Sequence, residues 1–163
     1  MIRPVVCCAL VFLLIACRDQ PRREEPAAPP QVQWFDTDTI VVWNCDASRR
    51  QRIRVYTPPD SVPLVQPFIN GINRTWPEAE LQLVALNADT VVVTLRNTGW
   101  LTARAGNTGA EQYLAFASLN LLEAQPVHFI RFDLPRGVHA GPSVWGRADF
   151  LDWITTDTLS TDR

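Results

Sequence analysis

Apolar residues recur along this chain in two different periods, and the switches between those periods mark out its elements. From Thr39 to Trp43 the run TIVVW is β-branched and apolar, NCDASRRQ supplies turn residues, and RIRVY follows at 52–56. Two strands joined by a loop are the expectation. In the second strand Arg52 and Arg54 alternate with Ile53 and Val55, which makes one face apolar and the other basic. Such a basic face reads either as a solvated or edge face kept soluble by charge, or as a contact for anionic headgroups or cell-wall polymer.

Residues 64–76, LVQPFINGINRTW, place Leu64, Phe68, Ile72 and Trp76 on one helical stripe with Val65 and Ile69 beside it. Proline is tolerated only in an opening turn, so the regular helix begins near Pro67. Next, ELQLVALNADTVVVTLRNT holds two alternating apolar runs around Asn87-Ala88-Asp89, with Leu81, Leu83 and Ala85 facing Val91, Val93 and Leu95, the pattern of a hairpin. Thr108-Gly109-Ala110-Glu111 fits a capping box, predicting a helix from there to Ala124. Its core stripe is Tyr113, Leu114, Ala117, Leu121 and Ala124. Phe116, Leu119 and Leu122 fall outside that stripe, so either loops cover them or they form an exposed apolar patch that wants a partner. After Pro126, VHFIRFDL at 127–134 reads as another strand. The order is β, β, α, β-hairpin, α, β. It implies an α+β fold with two helices packed on one face of a mixed, mostly antiparallel β-sheet.

Outside those elements the chain changes character. Met1-Ile2-Arg3 leads an apolar stretch through Leu14-Ile15-Ala16 that is too short to span a bilayer, and Cys17 follows directly. This start is similar to the signal and lipobox of bacterial lipoproteins. The resemblance implies that residues 1–16 are a signal peptide and that Cys17 carries the lipid, palmitate included. Residues 17–31, dense in proline and charge, form a tether. Residues 32–150 form a single domain, and residues 151–163 a polar C-terminal tail. Cys7 and Cys8 leave with the signal, so Cys45 has no partner for a disulfide and is expected to be a small core residue.

Composition removes several function classes. With 15 basic residues, all of them arginine, against 17 acids, no electrostatic footprint for nucleic acid is present. Two histidines and one free cysteine do not assemble a metal site, and no cofactor motif appears. His139, Asp133 and Ser143 contain the residue types of a hydrolytic triad, but GPSVWG is not a nucleophile elbow. The six tryptophans read as core filler, or, if Trp100 and Trp145 are exposed, as stacking platforms for a glycan.

The segments TVVVTLRNTGWL, GAEQYLAFASLNLLEAQPVHFIRFDLPRG and SVWGRADF resemble the GerMN module of spore-germination proteins and other bacterial envelope lipoproteins. The matching elements are Val91 to Leu95, the helix ending at Ala124, Gln125-Pro126-Val127 into Phe132, Gly137, and Arg147 with Asp149, over roughly residues 50–150. Thr94-Leu95-Arg96 departs from the family's acidic turn, and Ala117-Ser118-Leu119 from its usual Thr-Leu pair. The resemblance implies a non-catalytic protein-interaction domain at the cell envelope. The expected protein is therefore extracytoplasmic, anchored to a bacterial membrane through Cys17, and not an enzyme. Its expected partner is an envelope protein, with a cell-wall glycan as the alternative, and its candidate contact residues are Arg52, Arg54, Phe116, Leu119 and Leu122.

Overall fold

A computed structural model describes residues 38–58 and 64–158, all within one unit, Trp34–Arg163. Cys17, the tether and Trp34 lie outside the described residues. The fold is α+β, and its strands form two sheets in place of one.

The first sheet has the order β1-β2-β7. Strands β1 (Trp43–Asp46) and β2 (Gln51–Arg54) are antiparallel, joined by a 3₁₀ turn that Asp46 caps through its side chain. β7 (Ile154–Asp157) pairs in parallel with β2, so the segment read as a polar tail completes this sheet. Its residues are polar or exposed, because an edge strand this short buries little.

Helix α1 (Gln66–Thr75) begins beside Pro67, which sits in its first turn as expected, and buries Phe68, Ile69 and Ile72. Gly71 lets the incoming chain lie against it: a Cβ there would sit 2.1 Å from the Ile40 carbonyl oxygen. The second sheet follows, in the order β3-β4-β5-β6. The hairpin of β3 (Leu81–Asn87) and β4 (Thr90–Leu95) forms as the alternation implies, with β5 (Phe129–Phe132) parallel to β4 and β6 (Ser143–Gly146) antiparallel to β5. Val91, Val93, Ile130 and Phe132 share the core face.

One detail of the hairpin departs from strict alternation. The register shifts between Leu83 and Ala85, making Val84 an inserted residue, a β-bulge. Past the bulge Leu86, and not Ala85, lies on the same face as Leu83.

Helix α2 (Gly106–Leu121) starts upstream of the expected capping box. A π-helical turn at Trp100–Arg104 leads into it, and Gly106, at φ +71, makes the break. Every residue from Tyr113 to Leu122 is buried, because α1, β1 and the π-helical turn surround the helix. A single apolar core thus joins both helices with both sheets.

Candidate interaction surfaces

The triplet on α2 is not a surface. Phe116, Leu119 and Leu122 are 2%, 3% and 2% exposed, and Phe116 packs against Trp76 with ring centroids 6.4 Å apart. Neighbouring elements cover all three, which leaves no apolar patch on this helix.

Arg52 and Arg54 are half-buried, and their face is inverted relative to the expectation. Register pairs Arg54 with Trp43 and Arg52 with Cys45, so both arginines lie on the side of β2 that faces α2. Their guanidinium carbons sit 4.6 Å (Arg54) and 5.4 Å (Arg52) from the Trp43 ring centroid, a double cation–π cover over a buried indole. Arg52 also donates from Nε to Thr155 Oγ1 at 2.8 Å. Ile53 and Val55 take the outward face instead, Val55 being exposed. The Trp43 indole donates from Nε1 to Glu123 Oε1 at 3.0 Å, and Glu123 in turn pairs with Arg147 at 3.7 Å.

Buried amides seal the outer edge of β1. Asn120 of α2, fully buried, accepts from the backbone N–H of Val42 (2.7 Å) and Trp43 (3.0 Å) and donates to the Trp43 carbonyl (2.9 Å). Two turns earlier Gln112 accepts from Ala47 N–H at 2.8 Å and donates to the Cys45 carbonyl at 2.7 Å. These two side chains supply what a neighbouring strand would. Sequence reading missed both, although an asparagine inside an otherwise apolar helical run is the available signal.

β3 has a similar device at one residue only. Asn73 of α1 accepts from Leu81 N–H (2.7 Å) and donates to the Leu81 carbonyl (3.0 Å). Beyond Leu81 no described element pairs with this edge, and Leu83, Val84 and Leu86 are 41%, 54% and 45% exposed. Among the described residues this is an open sheet edge with three exposed apolar side chains within four positions. The hydrophobic alternation was visible in the sequence; its edge position was not.

The groups with potential for chemistry are dispersed or engaged. His139 Nδ1 lies 2.7 Å from Asn107 Oδ1, Ser143 Oγ accepts from Trp145 Nε1 at 3.2 Å, and the Asp133 carbonyl oxygen accepts from Thr94 at 2.8 Å. No hydrogen bond joins His139, Asp133 and Ser143. Cys45 is buried against Gln112, and burial pushes its thiol up to about 12. Among the described residues no cluster of three or more histidine, cysteine or acidic side chains is placed to hold a metal. Trp43 and Trp153 are buried; Trp76, Trp100 and Trp145 are half-buried and packed against the core. Arg147 and Asp149 hold the fold locally: Arg147 donates to the Leu122 carbonyl, and Asp149 accepts from Gly146 N–H at 2.7 Å.

No family model, curated protein or solved structure matches the chain.

Proposed function

We propose that this is a lipid-anchored cell-envelope protein whose α+β domain, of GerMN-like character, works by binding another protein and not by catalysis. The anchor rests on Leu14-Ile15-Ala16-Cys17 followed by the proline-rich tether. The observation that carries the binding half is the open edge of β3, where Leu83, Val84 and Leu86 stand exposed beside unpaired strand backbone. Such an edge recognises extended chain through main-chain hydrogen bonds and selects it through alternate side chains. The interaction surface therefore moves from α2 to β3. A glycan-binding reading has less behind it, because each described tryptophan is buried or packed against the core.

Two measurements test the two halves. Metabolic labelling with a palmitate analogue, followed by membrane fractionation, is expected to mark the wild type and to fail for Cys17→Ala. Labelling that survives the substitution would remove the anchor. A photoreactive residue at Val84 is expected to cross-link to protein in the intact envelope, whereas one at exposed Ala103 is not. Equal yields at the two positions would remove β3 as the binding edge.

A further inference from the structure

The open edge of β3 carries a pattern that selects its partner. Strand backbone alternates between groups turned toward the neighbouring strand and groups turned away. At the start of β3, Glu80 accepts from Arg96 N–H on the β4 side at 3.0 Å, and Leu81 is turned outward, where Asn73 bonds both its groups. Two residues on, Leu83 is turned outward again. Its opposite residue, Val93, gives its carbonyl to Asp133 N–H on the β5 side, consistent with that phase. At the far end Asn87 closes the hairpin against Thr90, so Leu86 is turned outward. The bulge at Val84 absorbs the change of phase. The open edge therefore offers backbone pairs at Leu83 and Leu86, three residues apart, where a regular strand offers them two apart.

A regular strand cannot bond both positions without a bulge of its own. A second copy of β3, run antiparallel, has the same irregular spacing. We propose that β3 pairs with β3 of a second copy about a two-fold axis between Val84 and Ala85, joining the two four-stranded sheets into one. This rests on the reading of the domain as an interaction module and is independent of lipidation at Cys17.

The side chains agree with that register. Leu83 falls opposite Leu86 of the second copy, Val84 opposite Ala85, and Gln82 opposite Asn87, so apolar meets apolar and amide meets amide. The strand LQLVALN carries no charge, so no like charges oppose each other along it. Leu83 and Leu86 share the core face with Val93 and Val91, and a two-fold axis normal to the sheet keeps that face common to both copies. The four leucines extend the two cores across the seam. Pairing stops at Gln82 because Asn73 already occupies the edge of Leu81. A seam of one strand per copy is smaller than the roughly 1,200–2,000 Å² of stable interfaces, so the dimer is a weak one.

Sedimentation of the full chain in mild detergent tests this pairing. The wild type is expected to show a concentration-dependent monomer–dimer equilibrium. L83K/L86K sets lysine against lysine twice and is expected to weaken the dimer at least about tenfold. L83K/L86E sets opposite charges across the same positions and is expected to recover dimer that dissociates with added salt. All four substituted sites across the dimer are surface positions, and circular dichroism and unfolding midpoints are expected to stay near wild type. A wild type that remains monomeric overturns the proposal, as does a dimer that L83K/L86K leaves intact or that L83K/L86E fails to restore. A monomeric wild type that still cross-links from Val84 to a different protein would overturn the second copy alone and leave the interaction reading standing.

Discussion

Asn120→Ala is the substitution with the largest calculable consequence. The side chain makes four hydrogen bonds: from Val42 N–H and Trp43 N–H, and to the carbonyls of Trp43 and Phe116. The Phe116 carbonyl lies four residues upstream in the same helix and keeps its helical partner when the amide is lost. The other three groups belong to the start of β1 and the residue before it, where Trp43 and Val42 are 4% and 0% exposed and water does not replace the amide. A buried donor or acceptor left without a partner costs about 1–3 kcal/mol. Three of them, partly relieved by relaxation, give about 3–5 kcal/mol, a large share of the 5–15 kcal/mol that holds a typical domain together. Urea unfolding followed by tryptophan fluorescence measures this directly, with Gln112→Ala as the comparison. Gln112 is half-buried and satisfies two backbone groups of β1 and its turn where Asn120 satisfies three, so its loss is expected to cost less, about 2–3 kcal/mol. If Asn120→Ala lost less than Gln112→Ala, the claim that the amide replaces a missing strand would be wrong.

Two further outcomes follow from burial. Phe116→Ala is expected to cost about 3–5 kcal/mol, because it opens a cavity against Trp76; replacing Phe116, Leu119 and Leu122 together by serine is expected to abolish cooperative unfolding, and a triple variant that unfolds like the wild type would sink the assignment to the core. Burial also raises the Cys45 thiol from 9.0 to about 12 and holds the Tyr113 hydroxyl above its ordinary value. Each keeps its proton in the folded chain after the unfolded chain has lost it, so stability is expected to fall as pH rises from about 9 toward 12, with Cys45→Ala flattening part of that fall in urea titrations.

The hairpin, α1 and β5 were legible because their apolar residues recur at strand or helix spacing and their boundaries carry proline or turn residues, whereas the Val84 bulge, which puts Leu86 in place of Ala85 on the face of Leu83, was not. The Arg52/Arg54 strand was legible as an alternation but not in its sense. Alternation shows that two faces differ; which one turns inward depends on the partner, and here Trp43 stands opposite Arg54 and draws both guanidinium groups over its ring. Projection of α2 onto a wheel assumes one buried side, an assumption that fails for a helix enclosed by a second helix, a sheet and a π-helical turn. The parallel pairing of β7 was illegible for the opposite reason. Ile154–Asp157 buries almost nothing, and its place comes from backbone pairing with β2, which leaves no mark in hydropathy.

One edge of each sheet, β1 and β3, meets helix-borne amides with unequal reach, and that inequality leaves β3 open where the binding surface is proposed. An amide side chain presents N–H donors and a carbonyl acceptor together, the two kinds of group that a strand residue presents, so a helix that carries amides can terminate a sheet. α2 lies along β1 and carries two such residues, so the β1 edge is closed from Val42 to Ala47. α1 reaches β3 only near its own C-terminal end at Thr75, so of its amides Asn73 alone bonds β3, at Leu81 and nothing beyond. The rest of β3 would be a general template for extended chain were it regular. The Val84 bulge removes that generality, since an ordinary strand can satisfy Leu83 or Leu86 but not both. An edge that is open, apolar and irregular admits few partners, and a second β3 meets its spacing, its polarity and its charge together.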